Sequence, residues 1–172
     1  MKKNNKKIAF FAMMAIALFI VLAIMTYQNQ WNQKQYFLDN FQQQFVELQG
    51  VITHVEKENW SHPELISNQL SLILDDLEYV MLNHSYPSKV LSEDEKFMFA
   101  RIYGSLNQLP FNEIYHEAVW SKKDLEKVNI VNEALVKAEL KMETTIPVDW
   151  DVFMNQCKIL DKELQKLRSM QK

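Results

Sequence analysis

Glycine is almost absent from this sequence: among its 172 residues only Gly50 and Gly104 are glycine. Hairpin turns and the corners of β-barrels depend on glycine, because they hold residues at positive φ. A strand-rich domain of this length would therefore contain more of it. We predict an all-α fold, in which helices form nearly the whole chain outside its connections.

Residues 8–27 form a long apolar run that carries no charge. A helix of this length covers about 30 Å, which matches the hydrocarbon core of a bilayer. A soluble core helix is rarely apolar on every face. A cleaved signal peptide is the stronger rival, but its apolar region would be shorter, and the only Ala-x-Ala pattern, at residues 15–17, lies in the middle of the run. We therefore interpret residues 8–27 as a retained transmembrane helix.

The charges on either side of this helix predict its orientation. Four lysines and no acidic residue precede it: Lys2, Lys3, Lys6 and Lys7. The far flank is neutral as far as Lys34, so the positive-inside bias keeps residues 1–7 in the cytoplasm and places residues 28–172 outside it. Tyr27 and Trp31 fall where interfacial aromatic side chains are expected. The prediction is a single-pass signal anchor in the cell membrane, with an extracytoplasmic C-terminal domain.

Helical periodicity continues beyond the membrane segment. Apolar residues follow one another at steps of three and four from Trp31 to Val55, with Lys34 as the one polar lapse, which is typical of a coiled-coil seam. This seam would pack either on the chain's own bundle or on a second copy. Three further helices begin at capping-box patterns, in which a serine precedes an acidic residue by three positions: Ser61, Ser92 and Ser121. A last helix begins near Asp149.

The apolar faces of these later helices predict the core. Its members are Ile66, Leu70, Ile73, Leu77, Val80, Met98, Ile102, Leu106, Leu125, Val128, Leu135, Ala138, Met142, Trp150, Phe153, Cys157, Leu160, Leu164 and Leu167. Four long amphipathic helices with one or two short ones favour an antiparallel helical bundle. We predict one bundle over residues 28–172, attached to the membrane by a continuous helix.

Charge and cysteine content narrow the functional classes. All 22 acidic residues of the chain lie beyond the apolar run, whereas four of its 19 basic residues precede it, which leaves residues 28–172 with a net charge of −7. A nucleic-acid partner would need a basic face, so we predict none. The single cysteine, Cys157, cannot form an internal disulfide, so stability depends on packing.

Catalytic and metal-binding patterns are incomplete. A di-iron bundle needs two Glu-x-x-His motifs, and the sequence offers one, from Glu113 to His116. His54 and Glu58 share a helix face but belong to no zinc motif. Cys157 takes a core position, where a thiol usually acts as a small hydrophobe. We predict no catalytic, metal or cofactor site, and that the chain is not an enzyme.

One connecting segment carries candidate partner-binding residues. Phe111, Tyr115 and Trp120 lie in "LPFNEIYHEAVW", outside the long apolar seams. They either cap the end of the core, or form an exposed patch of the residue types that dominate protein–protein contacts. Two Asn-x-Ser sequons, at Asn59 and Asn83, would accept a glycan only in a host with the machinery.

By elimination, the sequence predicts a membrane-anchored interaction protein, which acts as a subunit, chaperone or regulator of a membrane-bound assembly. Its partner would be another protein or a second copy of the chain. The alternative is a helical bundle that binds a small molecule and signals through a partner subunit, because only seven residues precede the membrane helix.

Overall fold

The computed structural model describes the backbone of residues 2–82, 88–110, 120–142 and 148–170, and the side chains from residue 10 onward in those ranges, except that of residue 88. Regular structure in these ranges is helical throughout, which confirms the all-α prediction for them. The α-helices are α1 (Lys2–Phe37), α2 (Gln43–Lys57), α3 (Glu64–Leu82), α4 (Glu93–Leu106), α5 (Lys122–Lys137), α6 (Trp150–Glu163) and α7 (Gln165–Ser169). A π-helix spans Leu38–Gln42, and a 3₁₀-helix spans Ser88–Val90.

The N-terminal helix continues from the apolar run into the packed part of the chain. From Phe10 to Lys57 it runs for 48 residues, and its most apolar window is 0% buried against other helices. Within the described residues this helix alone is long and apolar enough to cross a membrane. Its length and composition make it a candidate span, and a signal sequence near the N-terminus meets the same criterion.

The π-helix changes which residues of α1 face the core, and this corrects the predicted seam. A π-turn contains one residue more than an α-turn, so the helix before it is rotated relative to uninterrupted α-helical spacing. Trp31 is accordingly 53% exposed and Lys34 is half-buried, whereas Gln33 and Phe37 take the buried face. After the π-helix the predicted positions are buried: Phe45, Leu48, Ile52 and Val55.

The helices after α1 share one core. α2 packs on α3 and α5, α4 packs on α3 and α6, and α5 packs on α6. Most predicted core residues are buried, including Ile66, Leu70, Ile73, Leu77, Val80, Met98, Ile102, Leu106, Val128, Leu135, Ala138, Phe153, Cys157, Leu160, Leu164 and Leu167. Leu125 and Trp150 are half-buried against them.

Met142 was predicted as a core residue of the helix that begins at Ser121, and this is wrong. α5 ends at Lys137, and Glu139 has a φ of 59°. A left-handed residue ends helical spacing, so residues beyond it no longer follow the face that the spacing predicted. Met142 is 64% exposed.

Aromatic side chains join α1, the π-helix, α4 and α6 at the end of the core closest to the apolar run. The ring of Phe37 lies 5.3 Å from that of Phe41, 5.6 Å from that of Phe99 and 5.7 Å from that of Trp150, between centroids. Phe153 continues the cluster at 6.4 Å from Phe99. Such pairs add to the stability gained from buried area.

The starts of α4, α5 and α6 agree with the sequence prediction, whereas the predicted capping box at Ser61 stays a prediction. Ser92 and Glu95 form a capping box at α4, and Ser121 and Asp124 form another at α5. Asp149 caps α6 by accepting hydrogen bonds from two backbone N–H groups. α3 begins at Glu64, three residues after Ser61, and the Glu64 carboxylate lies 3.0 Å from Nδ1 of His62.

Candidate functional site

The predicted partner-binding segment lies mostly outside the described residues, as Phe111 and Tyr115 do. Trp120 is described, and it is 8% exposed within the hydrophobic core. Burial is the state that the core-capping interpretation expects of this ring. The partner-binding prediction for Phe111, Tyr115 and Trp120 stays a prediction.

The residues with candidate chemistry are dispersed. Within the described ranges no group of three or more His, Cys, Asp or Glu side chains is placed to hold a metal ion. Glu113, His116, His84 and the sequon residue Asn83 lie outside these ranges. Cys157 is fully buried, and burial raises the pKa of its thiol well above the usual value. A buried, protonated thiol is a poor nucleophile.

A cavity of about 230 Å³ lies between the part of α1 that follows the apolar run and the start of α6. Tyr27 and Trp31 line it with exposed rings. The Nζ atom of Lys34 lies 5.4 Å from the ring centroid of Trp150, which is a cation–π distance. Lys34 is the one polar residue in the predicted apolar seam, and its contact with Trp150 explains why a lysine is accommodated there. The lysines of the orientation prediction, Lys2, Lys3, Lys6 and Lys7, lie in the first turns of α1, where side chains are outside the described part.

A larger apolar surface lies between α2 and α3, and we call it the α2–α3 groove. Its volume is about 630 Å³. α2 contributes Glu47, Gly50, Val51 and His54; α3 contributes Leu65, Asn68, Gln69 and Leu72; Met142 completes it. Two contacts show that α2 and α3 are antiparallel beside the groove. Gln44 on α2 contacts Asp76 on α3, and Glu47, later on α2, contacts Gln69, earlier on α3.

Exposed apolar residues extend the α2–α3 groove along α3. Leu65, Leu72 and Tyr79 are 41%, 56% and 48% exposed, and they follow one another at intervals of seven. They lie on one face of α3, since seven residues make almost two helical turns. The core residues Ile66, Leu70, Ile73 and Leu77 occupy another face of the same helix. α3 therefore has a second apolar stripe, which the rest of the described chain leaves uncovered.

Two residues of α2, Gln49 and Gly50, hold Met142 at the α2–α3 groove. The Met142 backbone N–H donates to Oε1 of Gln49 at 3.3 Å, and the Gln49 amide donates to Asn132 on α5 at 3.3 Å. Beside Gln49, Gly50 has no side chain, and the thioether of Met142 occupies the space that a Cβ would need. An exposed, flexible methionine over a glycine gives an apolar surface that adapts its shape.

Carboxylates flank the α2–α3 groove. Glu47 lines it and accepts from Gln43 and, more weakly, from Gln69, whereas Asp76 accepts from Gln44 at 2.7 Å. Both carboxylates thus have neutral amide partners. No described ion pair includes Glu47, Asp75 or Asp76. The groove is apolar along its length and negatively charged at one end.

Sequence reasoning missed this site. The signal was present in the spacing of seven from Leu65 through Leu72 to Tyr79, but the stronger apolar face of the same helix concealed it. His54, which the sequence raised as a weak zinc candidate, lies at the groove's edge. Comparisons with models of protein families, with curated proteins and with solved structures find no match for this chain.

Proposed function

We propose that this chain is a membrane-anchored interaction protein, in which an extracytoplasmic helical bundle of residues 28–172 acts as a subunit, chaperone or regulator of a membrane-bound assembly. One observation carries the proposal: a helix with an exposed apolar window continues without a break into the packed core. The apolar window needs a lipid or protein environment, and the continuity holds the packed helices close to it.

The α2–α3 groove supports the interaction part of this proposal. Exposed apolar surface that is contiguous and rimmed by polar groups marks interaction sites on soluble domains. Here the groove lies on helices that are anchored in the core by Ile52, Ile66 and Leu70, which are fully buried. It therefore presents a preformed surface, which lowers the entropic cost of binding.

The proposed orientation places residues 1–7 in the cytoplasm and residues 28–172 outside it. It rests on the four lysines before the apolar run and on the neutral flank after it. Protease added to intact cells or spheroplasts should digest residues beyond about Trp31 and spare a tag on the N-terminus. N-terminal sequencing of the protein from membranes should find residues 1–25 still present. A tag removed by external protease would reverse the topology, and a mature chain that starts after residue 25 would make the segment a signal peptide.

Co-purification tests the function itself. The full chain, extracted from its native membranes in mild detergent, should carry a protein in stoichiometric amount. The alternative function, a small-molecule sensor, predicts instead that a purified chain retains a low-molecular-weight compound, which mass spectrometry of the denatured sample would detect. A chain that carries neither after crosslinking in intact membranes would leave the interaction proposal without support.

A further inference from the structure

The acidic charge of the chain is concentrated on the two helices that form the α2–α3 groove. From the start of α2 to the end of α3, residues 43–82, there are seven carboxylate side chains and one lysine, Lys57. Residues 83–172 are nearly balanced, with 14 acidic and 13 basic residues. The α2–α3 hairpin, residues 43–82, thus carries −6 of the net charge of −7 over residues 28–172.

Several of these carboxylates lie next to the apolar residues that a partner would cover. Glu47 is a lining residue. Asp75 and Asp76 follow Leu72 by one turn of α3, between Leu72 and Tyr79. Complementary charge at the rim of an apolar contact governs which partner is accepted and how fast it associates.

A second copy of the chain does not fit this surface. Two copies that met through the α2–α3 groove would bring two hairpins of charge −6 together, and like charges in contact oppose association. A partner with positive charge at the edges of an apolar strip would relieve this repulsion. It would also supply the cations that Glu47 and Asp76 lack among the described ion pairs.

The shape of the surface indicates the secondary structure of that partner. The groove and its extension run parallel to α3 from Leu65 to Tyr79, which is about 21 Å or four helical turns. An α-helix with apolar residues at intervals of three and four matches a groove between two antiparallel helices. We infer that the α2–α3 groove docks a cationic amphipathic helix of a partner protein. This inference rests on the proposed function and names the chemistry of the partner.

The test uses the full chain in nanodiscs of zwitterionic phosphatidylcholine, with empty nanodiscs as the blank. The probe is a synthetic helix of leucine and lysine, about 18 residues long, with one apolar face. A second peptide keeps the leucines and replaces every lysine by glutamate. We expect the lysine peptide to bind, with an affinity that falls as salt rises, and the glutamate peptide not to bind.

Matched variants locate the binding. Leu72→Gln removes an exposed leucine of the groove, and Phe97→Gln removes a side chain on α4 that is 61% exposed. Both variants introduce glutamine, which has a high helix propensity. Leu72→Gln should weaken binding of the lysine peptide about tenfold, because the peptide no longer buries that leucine, and Phe97→Gln should leave it unchanged. Asp75→Asn with Asp76→Asn should weaken it and reduce its salt dependence.

Four outcomes would overturn the inference. Binding that both Leu72→Gln and Phe97→Gln leave unchanged would show that the peptide adheres to charge alone. Equal binding of the glutamate peptide would remove the charge argument. A dimer of the full chain, found by light scattering and lost in Leu72→Gln, would assign the groove to a second copy. If the partner co-purified from membranes with wild type is still captured by Leu72→Gln, the groove inference fails while the proposed function stands.

Discussion

Gly50 and Gly104 both lie inside helices, but their surroundings differ. A Cβ at Gly104 would meet no atom within 4 Å, whereas a Cβ at Gly50 would collide with the side chain of Met142. Glycine in a helix interior costs stability relative to alanine because its backbone is freer in the unfolded chain. Gly104 has no packing reason that offsets this cost, and Gly50 has one.

Gly104→Ala should therefore raise the free energy of unfolding by about 0.5–1 kcal/mol. Gly50→Ala should gain less, because the thioether of Met142 must move. The double variant Gly50→Ala with Met142→Ala should recover the gain relative to Met142→Ala alone. Denaturant unfolding of the full chain in micelles measures all four. An equal gain from Gly50→Ala and Gly104→Ala would show that Met142 does not depend on the missing side chain.

At the scale of single elements, α5 and α6 are joined at their C-terminal turns by a group of three charges. The Lys137 Nζ lies 2.9 Å and the Lys166 Nζ 3.2 Å from Oε2 of Glu163. The hydrogen bonds from Lys137 and Lys166 lower the pKa of Glu163 below its usual 4.5. The hydrogen bond to Glu163 likewise raises the pKa of Lys137 above 10.5.

A lowered carboxylate pKa stabilises the folded chain above pH 4.5, and this contribution is lost as the pH falls through the lowered value. Glu163→Gln should therefore lower the Tm slightly near neutral pH, since exposed pairs contribute little. The difference from wild type should shrink below pH 4.5. Glu126→Gln, an exposed position on α5, is the control for the change in net charge. Thermal unfolding followed by circular dichroism measures both; a deficit that persists unchanged in acid would contradict the assignment.

The positions of the helices could be predicted from local sequence. Which residues of each helix face the core could be predicted only in part. Ser92 and Ser121 gave the starts of α4 and α5 because capping depends on residues three positions apart. Trp31 was misplaced because nothing local announces a π-turn, which shifts the face of α1 by one residue. Met142 was misplaced because the left-handed Glu139 ends the helical spacing before it, and because Gln49 and Gly50, which hold it, are distant in sequence. The α2–α3 groove was missed for the same reason, since it exists only once two helices are paired.

At the scale of the whole molecule, Cys157 reports on opening of the core. It is the only cysteine of the chain and is fully buried. Burial raises the pKa of its thiol, so reaction with a maleimide requires that the core open. The thiol should react slowly in the native chain, and its reactivity should rise with denaturant together with the loss of helix.

Phe45→Ala should make Cys157 react faster. Phe45 is fully buried on α2, and its loss should cost about 3–5 kcal/mol of stability. Leu72→Ala, at a side chain that is 56% exposed, is the control and should leave the rate close to wild type. Mass spectrometry of the modified chain over time measures the rates. If Phe45→Ala and Leu72→Ala react alike, Cys157 is reached by a local motion and the core is less cooperative than its packing suggests.

In the membrane-anchored arrangement that we propose, the unbroken helix from Phe10 to Lys57 would also set the direction in which the α2–α3 groove faces around the membrane normal. Each residue of an α-helix turns the chain by about 100° and advances it by about 1.5 Å. One residue inserted after Gln28 would leave the packed helices intact but turn the groove through about 100°. Some seven inserted residues would return it to within about 20° of its first direction, about 10 Å further from the membrane. Binding to a partner fixed in the same bilayer would then rise and fall with the number of inserted residues, with the period of the helix.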